Sequence, residues 1–289
     1  MTRKEFLQNT LIASGMMTLS GLNSFACKLE EQETKMPVLF VGHGSPMNAI
    51  EDNIFSKGWR EAAKNLPKPK AILCVSAHWE TRGTFVTAME KPRTIHDFGG
   101  FPKELFAVQY PAPGNVEVAK ETARTIKKTI VDLDHEWGLD HGAWSIMKHF
   151  YPNADVPVLQ LSLDRDKNAA WHYELGKEIA ALRKKGVLII GSGNMVHNLG
   201  RLNWQQPDAK YDWAENMNTT FKKLILEGNH QSLIDYKGLG NDAFFSIPTP
   251  EHYLPLLYIL ALQEKNEQLS FFNDHTVMGS ISMTSVKIG

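Results

Sequence analysis

The chain has 289 residues, 43% of them hydrophobic and 22% charged, with a formal net charge of -1 at pH 7. A balance this close to neutral excludes an electrostatic case for nucleic acid or an anionic membrane surface as partner. Two cysteines, Cys27 and Cys74, are too few for a disulfide framework or a cysteine-built zinc site, so any metal must be held by histidine and carboxylate.

The first residues read as a targeting segment. Thr2-Arg3-Lys4-Glu5-Phe6-Leu7-Gln8, a mildly apolar stretch over residues 11–22, and Ser24-Phe25-Ala26-Cys27 follow the pattern of a bacterial export signal. The opening is similar to a twin-arginine signal with Lys4 in the second arginine position, and Cys27 is a candidate for a lipid anchor. Residues 1–35 are therefore read as export signal and linker, with a periplasmic destination. The alternative is an amphipathic N-terminal helix of a cytoplasmic protein, which Gly15, Ser20 and Gly21 disfavour. No other segment is long and apolar enough to span a bilayer. Residues 36–289 are read as one α/β domain.

Val38-Leu39-Phe40-Val41 is a buried strand that stops at Gly42-His43-Gly44, where glycine on either side lets a ligand approach closely. A short helix over residues 59–65 ends at Pro67-Lys68-Pro69. A second strand over residues 71–76 runs into Ala77-His78-Trp79-Glu80, and His43 and His78 meet if the two strands are parallel neighbours. Residues 84–88 form a third strand. Thr94-Ile95-His96-Asp97-Phe98-Gly99-Gly100-Phe101-Pro102 is a glycine-rich aromatic loop able to wall a pocket for a flat substrate. Residues 116–128 read as a covering helix.

Gly138-Leu139-Asp140-His141-Gly142 leads into a helix over residues 145–150, and Asp140 is placed to fix the tautomer of its neighbour His141. A strand over residues 156–163 and a long amphipathic helix over residues 168–183 follow. His149 and His172 read as packing residues. Val187-Leu188-Ile189-Ile190 is the most apolar strand, and it opens into Gly191-Ser192-Gly193-Asn194-Met195-Val196-His197-Asn198, a flexible turn carrying Asn194 and His197 over the strand ends. That turn lacks both the dinucleotide fingerprint and the lysine of a P-loop. Residues 212–226 form an amphipathic helix with Trp213 inward. Thr249-Pro250 then caps an apolar helix whose first turn holds His252 next to Glu251. Residues 276–288 alternate as one or two closing strands.

Four histidines at element ends, His43, His78, His197 and His252, with His141 as a fifth, suggest a nitrogen-rich mononuclear site for iron or zinc. No His-Glu-x-x-His, Gly-x-Ser-x-Gly or paired cysteine pattern is present, which argues against a zincin, an α/β-hydrolase or a thiol enzyme.

The motifs Gly42-His43-Gly44-Ser45-Pro46-Met47, Ser76-Ala77-His78-Trp79-Glu80, the 95–102 loop, Leu139-Asp140-His141-Gly142-Ala143-Trp144, the 191–198 segment and Thr249-Pro250-Glu251-His252-Tyr253 together resemble the DOPA 4,5-dioxygenase extradiol family. These are ring-cleaving enzymes of the protocatechuate 4,5-dioxygenase type. The resemblance runs from Pro37 to the C-terminus. It implies a mixed, mostly parallel central sheet flanked by helices, with the metal site at the carboxyl ends of the strands, and a non-haem Fe(II) centre that Zn(II) can occupy.

It also implies His43 and His78 as metal ligands and His252 at the third ligand position, where ring-cleaving relatives usually supply a carboxylate and where Glu251 stands alongside. His197 matches a histidine that is either a further ligand or an acid/base. The implied reaction is cleavage of a catechol such as DOPA by O2, with proton transfers given to His141 and His197 and substrate contacts to His96 and Asn194. Two other readings accommodate the same histidines: a zinc-dependent hydrolase, and a non-catalytic metal-binding protein on the same fold.

Overall fold

The computed structural model describes residues 31, 32 and 34–289. The expected export signal, its cleavage pattern and Cys27 fall outside the described residues. Ten strands are present among them: β1 (Val38–Gly42), β2 (Ala71–Thr81), β3 (Thr84–Thr87), β4 (Val131–Asp134), β5 (Val158–Asp164), β6 (Val187–Gly193), β7 (Leu269–Phe272), β8 (Thr276–Val277), β9 (Ile281–Ser282) and β10 (Ser285–Ile288). Eight of them form one sheet in the order β4-β3-β5-β2-β6-β1-β10-β7, and β8 and β9 pair separately. The central four, β5, β2, β6 and β1, are mutually parallel. β3 is antiparallel to β5 on one side and β10 antiparallel to β1 on the other, so the single α/β domain has the mixed, mostly parallel sheet expected of it.

β1 and β2 are parallel but not neighbours, because β6 lies between them. Three strand ends therefore meet where two were expected, and the middle one is built from Gly191, Ser192 and Gly193. Side chains alternate between the two faces of a strand. On one face Ser192 Oγ donates to the carbonyl of Gly142, at the start of the His141–Phe150 helix, at 2.6 Å. On the other face a Cβ added at Gly193 would stand 2.1 Å from the carbonyl oxygen of His252. The next residue, Asn194, donates its backbone N–H to that same oxygen at 2.9 Å. A larger residue at 193 would push the His252 turn away from the sheet. The end of β6 is gripped from both faces, and each grip delivers one histidine.

Several element bounds differ from expectation for local reasons. The first helix spans Ile54–Lys64 because Asn53 caps it, with a reciprocal bond from Ser56. β2 runs on through His78 to Thr81, with its register against β5 shifting between Val75 and Glu80. That irregularity turns the histidine to the sheet's end without ending the strand. The helix expected from residue 145 begins at His141, since the Asp140 side chain accepts from the Ala143 N–H and caps it. The long helix expected over 168–183 breaks at Ile179 into Ala169–Glu178 and Ala180–Lys184.

Thr249 does not cap the last helix, which is Leu254–Ala261. Its hydroxyl donates to Glu251 at 2.9 Å instead, and His252 lies in the turn before the helix. The 194–198 segment is not a flexible turn. Met195 and Val196 are fully buried, Ser282 N–H donates to Val196 O, and His197 N–H donates to Ser246 O. Trp213 is half-buried, while His149 and His172 do serve packing, His172 being fully buried against the Tyr258 hydroxyl at 2.9 Å. Among the described residues no helix is long and apolar enough to cross a membrane.

Arg183 ties the two ends of the site's scaffold together. Fully buried, it donates to the carbonyls of Met36, just before β1, at 2.8 Å and of Leu262, just after the last helix, at 2.7 Å, and it pairs with Glu267 at 2.5 Å. Burial alone would raise the Glu267 pKa, but the hydrogen bonds from Arg183, the Glu264 N–H and Lys35 outweigh it and hold the carboxyl at about 2. A depressed carboxyl contributes stability above its unfolded pKa, about 4.3, and loses that contribution as pH falls through the folded value. The stability difference between wild type and Glu267→Gln, measured by urea unfolding, should be full at pH 7, shrink below about pH 4.5 and vanish near pH 2. A difference independent of pH would contradict this account of the clamp.

Candidate metal centre

Five histidines converge beyond the carboxyl ends of β1, β2 and β6. His43 follows β1 directly, its backbone N–H bonded to Gly193 O at 3.2 Å. The ring of His43 lies 4.9 Å from that of His78, 5.3 Å from His252 and 5.5 Å from His141, centroid to centroid. His78 is 5.1 Å from His252 and 4.0 Å from His141. His197 stacks flat on His252 at 3.5 Å with 10° between the planes. The donor atoms group as His43, His78 and His141 on one side and His197, Glu251 and His252 on the other.

The oxygen partners at the outer nitrogens bear on which nitrogen of each ring carries its proton. The Ser192 hydroxyl spends its only proton on Gly142 O, so at 2.9 Å from His43 Nδ1 it must accept. His252 Nδ1 lies 3.0 Å from the Glu251 carboxylate, and His141 Nδ1 lies 3.0 Å from that of Asp97. His78 Nδ1 is 3.2 Å from the same Asp97 oxygen, where a lone pair would be repelled. His43, His141 and His252 are thus protonated at Nδ1 and offer a lone pair at Nε2, and the Asp97 charge favours the same form of His78.

With His43 and His78 both in this form, the inner nitrogens present their lone pairs to a common point, an arrangement suited to a cation. His43 Nε2 and His78 Nε2 stand 3.0 Å apart with lone pairs facing. That separation suits two nitrogens each about 2.1 Å from one ion at roughly a right angle. His252 supplies a third nitrogen to the same triangle of rings, and the donor set of imidazole nitrogens suits iron or zinc. Glu251 accepts from the Thr249 hydroxyl at 2.9 Å and lies 3.0 Å from His252 Nδ1. His197 and His252 stack with nearly parallel planes, and their donor atoms group with that of Glu251.

Burial keeps His43, His78, His197 and His252 neutral. Desolvation lowers the His43 and His252 pKa values well below the ordinary range, and the neighbouring histidines push the same way. His78 falls to about 3, chiefly by burial and next by His141, against an opposing pull from Asp97. His197 falls to about 4 by burial, partly offset by Glu251. At neutral pH no proton has to leave before a metal binds.

The expected partner of His141 is corrected by the structure. Asp140 faces away, accepting from Ser76 Oγ at 2.7 Å and Gln160 Nε2 at 2.6 Å, and burial followed by the Asp97 charge raises its pKa. Asp97 takes the role instead, accepting also from the His141 backbone N–H at 2.8 Å. Reading the 94–102 loop for its rings and its histidine passed over Asp97. The available signal was a carboxylate beside two phenylalanines and two glycines, a poor place for an idle charge. Ser192 was likewise read only as part of a turn.

His96 stands outside the cluster. Its Nε2 bonds to Val108 O at 2.9 Å and its ring packs near Phe98 and Trp144. Phe98 in turn meets His141 edge-on at 5.5 Å. Asn194 is fully buried, with its amide donating to Ser282 O at 2.8 Å, which ties the end of β6 to β9.

The domain and its histidine cluster define a candidate non-haem metal centre of the kind found in ring-opening dioxygenases. A family model described as the catalytic LigB subunit of aromatic ring-opening dioxygenase matches residues 37–284. The chain therefore belongs to that family, the class III extradiol dioxygenases, which decides against the hydrolase reading. It is 47% identical over 260 residues to a 4,5-DOPA dioxygenase extradiol of Escherichia coli K12, covering 89% of this chain and 96% of the relative. A Beta vulgaris protein of the same name is 35% identical over 257 residues, covering 86% of this chain and 94% of that one. Among solved structures, an uncharacterized protein of Escherichia coli K12 superposes with a TM-score of 0.78 at 42% identity, covering 88% of this chain and all of that chain.

The lowered histidine pKa values carry a sign that can be tested. In the unfolded chain these rings take up protons near pH 6.5, whereas folded His78 and His197 resist until about 3 and about 4. Stability rises with pH wherever the unfolded state binds more protons, so it is lost as pH drops below about 6.5. Metal-free protein should thus have a lower urea midpoint at pH 5.0 than at pH 7.5, with a smaller drop in His197→Gln. An identical drop in wild type and variant would contradict the shift at His197.

Proposed function

We propose that this protein opens the ring of a catechol, such as DOPA, with O2 at a non-haem Fe(II) centre held by Nε2 of His43, His78 and His252. The observation that carries the ligand assignment is the facing pair of Nε2 atoms at 3.0 Å, each with an oxygen partner at or close to its far nitrogen. A bound Fe(II) ion supplies open coordination positions and a path for electrons between catechol and O2. Zn(II) fits the same three nitrogens and can fill the site without supplying that path. With three neutral ligands, the negative charge that a carboxylate ligand would bring comes from the ionised catechol. The names of the relatives, which specify DOPA, support the substrate class.

The chain's own residues handle protons and orientation. His141, its Nδ1 proton held by Asp97, keeps an Nε2 lone pair free to take a phenolic proton. His197, stacked on His252 and kept neutral by burial, serves as the second acid/base. Phe98, edge-on to His141, offers an apolar wall to a flat ring. His96 lies behind Phe98 and reaches substrate only through an extended side chain of the catechol.

The test is oxygen uptake by metal-stripped protein reloaded anaerobically with Fe(II) or with Zn(II), on a panel of catechols, with absorbance followed for a ring-opened product. Uptake should require Fe(II), disappear in His43→Ala and fall about 10²- to 10⁴-fold in His141→Ala. Tight zinc binding with hydrolysis of an ester or amide, and no uptake on any catechol with Fe(II), would overturn the assignment.

A further inference from the structure

We propose that Asp97 is a shared positioning residue, one carboxylate that sets the tautomer of both a metal-binding histidine, His78, and the proton-handling histidine, His141. The inference rests on the ligand and acid/base roles given above. Oδ1 of Asp97 accepts from the His141 backbone N–H at 2.8 Å. Oδ2 accepts from His141 Nδ1 at 3.0 Å and lies 3.2 Å from His78 Nδ1. The two rings it serves are 4.0 Å apart. The loop bearing Asp97 is held in place by Trp144, whose indole N–H donates to Ile95 O at 2.8 Å. The residue is exposed but its side chain keeps only 18% of its surface, so the carboxylate is turned toward the rings.

One oxygen facing two imidazole nitrogens can satisfy both only if both carry protons there. Each ring then has its lone pair on Nε2, which is what metal binding requires of His78 and proton abstraction requires of His141. The loop carrying Asp97 thus links the two tasks: displacing it disturbs metal affinity and proton transfer together.

Asparagine separates this role from mere space-filling, because it has nearly the shape of aspartate but only one acceptor oxygen. The His141 backbone N–H claims that oxygen, leaving the amide NH2 pointed at both Nδ1 atoms. Both rings then favour the proton on Nε2, so that metal binding by His78 and proton uptake by His141 each cost the hydrogen bond to the amide. Loss of the right tautomer through an aspartate-to-asparagine change is severe in other histidine-dependent enzymes.

The experiment reads ring nitrogens by 15N NMR on the metal-free full chain, zinc affinity by competition with a chromophoric chelator, and Fe(II)-dependent oxygen uptake. In wild type, His78 and His141 should both show the Nδ1–H form. In Asp97→Asn both should shift to Nε2–H, with zinc affinity down about 10- to 100-fold and uptake at saturating Fe(II) down about 10²- to 10⁴-fold. Asp97→Glu, which keeps both acceptor oxygens, should recover part of the affinity. His141→Ala should bind zinc as wild type does, so that the affinity loss traces to His78. An Nε2–H form of His78 in wild type, or wild-type zinc affinity in Asp97→Asn, would overturn the proposal, and the wild-type spectrum decides alone if the variant does not fold. If wild type binds no zinc and takes up no oxygen with Fe(II), the metal-centre assignment fails first, an outcome distinct from a metal-binding wild type indifferent to Asp97.

Discussion

Two neutral imidazoles face each other nitrogen to nitrogen at 3.0 Å, and the rest of the site is arranged to keep them there. Left alone, such a pair would relax by rotating a ring or passing a proton to one face. Both routes are opposed by the partners at the outer nitrogens. His43 is fixed through Ser192, whose proton is already spent on Gly142, and His78 is confronted by the Asp97 carboxylate. Burial makes protonation costly for both. The two inner nitrogens are thus held close together by the fold, and a cation between them would take both lone pairs. This is preorganisation in a physical sense: the cost of bringing the donors together is met during folding.

The fold meets that cost by bringing small residues to the end of its central strand. β6 separates β1 from β2, and a bulky residue at its end would keep His43 and His78 apart. Glycine at 191 and 193 with serine at 192 lets a helix start approach from one face and the His252 turn from the other. The approach of Gly142 is similarly close, since a Cβ there would lie 2.6 Å from Ser76 Oγ and 2.9 Å from the His78 ring. The charges sit one layer out. Asp97 and Glu251 contact the backs of the rings, while Asp140 is occupied by Ser76 and Gln160. A divalent ion in front of three neutral donors would face a site with its negative charge behind it, which leaves room for an anionic substrate in front.

What could be read in the sequence was what depends on near neighbours. Apolar runs ending at Gly42-His43 and at Ser76-Ala77-His78 are local patterns, as is the 212–226 helix, and their placement at the carboxyl ends of parallel strands follows from the α/β architecture. The partners that decide the chemistry are not local. His43 and Ser192 are 149 positions apart, and Asp97 and His141 are 44 apart. No periodicity links them. Asp140, the immediate neighbour of His141, was the natural choice of partner from sequence, but the first residue before a helix turns its side chain onto the helix's own N–H groups. The insertion of β6 between β1 and β2, and the edge strands β4 and β7, were hidden for the same reason: strand order is set by crossovers, and short half-exposed strands carry a weak pattern.

In the proposed site three Nε2 atoms, from His43, His78 and His252, form the metal-binding face with Glu251 behind it. Anomalous diffraction at the zinc edge from crystals of the zinc-loaded protein tests it most directly. The account predicts one ion at about 2.0–2.1 Å from each of those three nitrogens, with Glu251 still bonded to His252 Nδ1. An ion bound by the Glu251 carboxylate in place of His252, or an ion lying away from the His43–His78 pair, would contradict it.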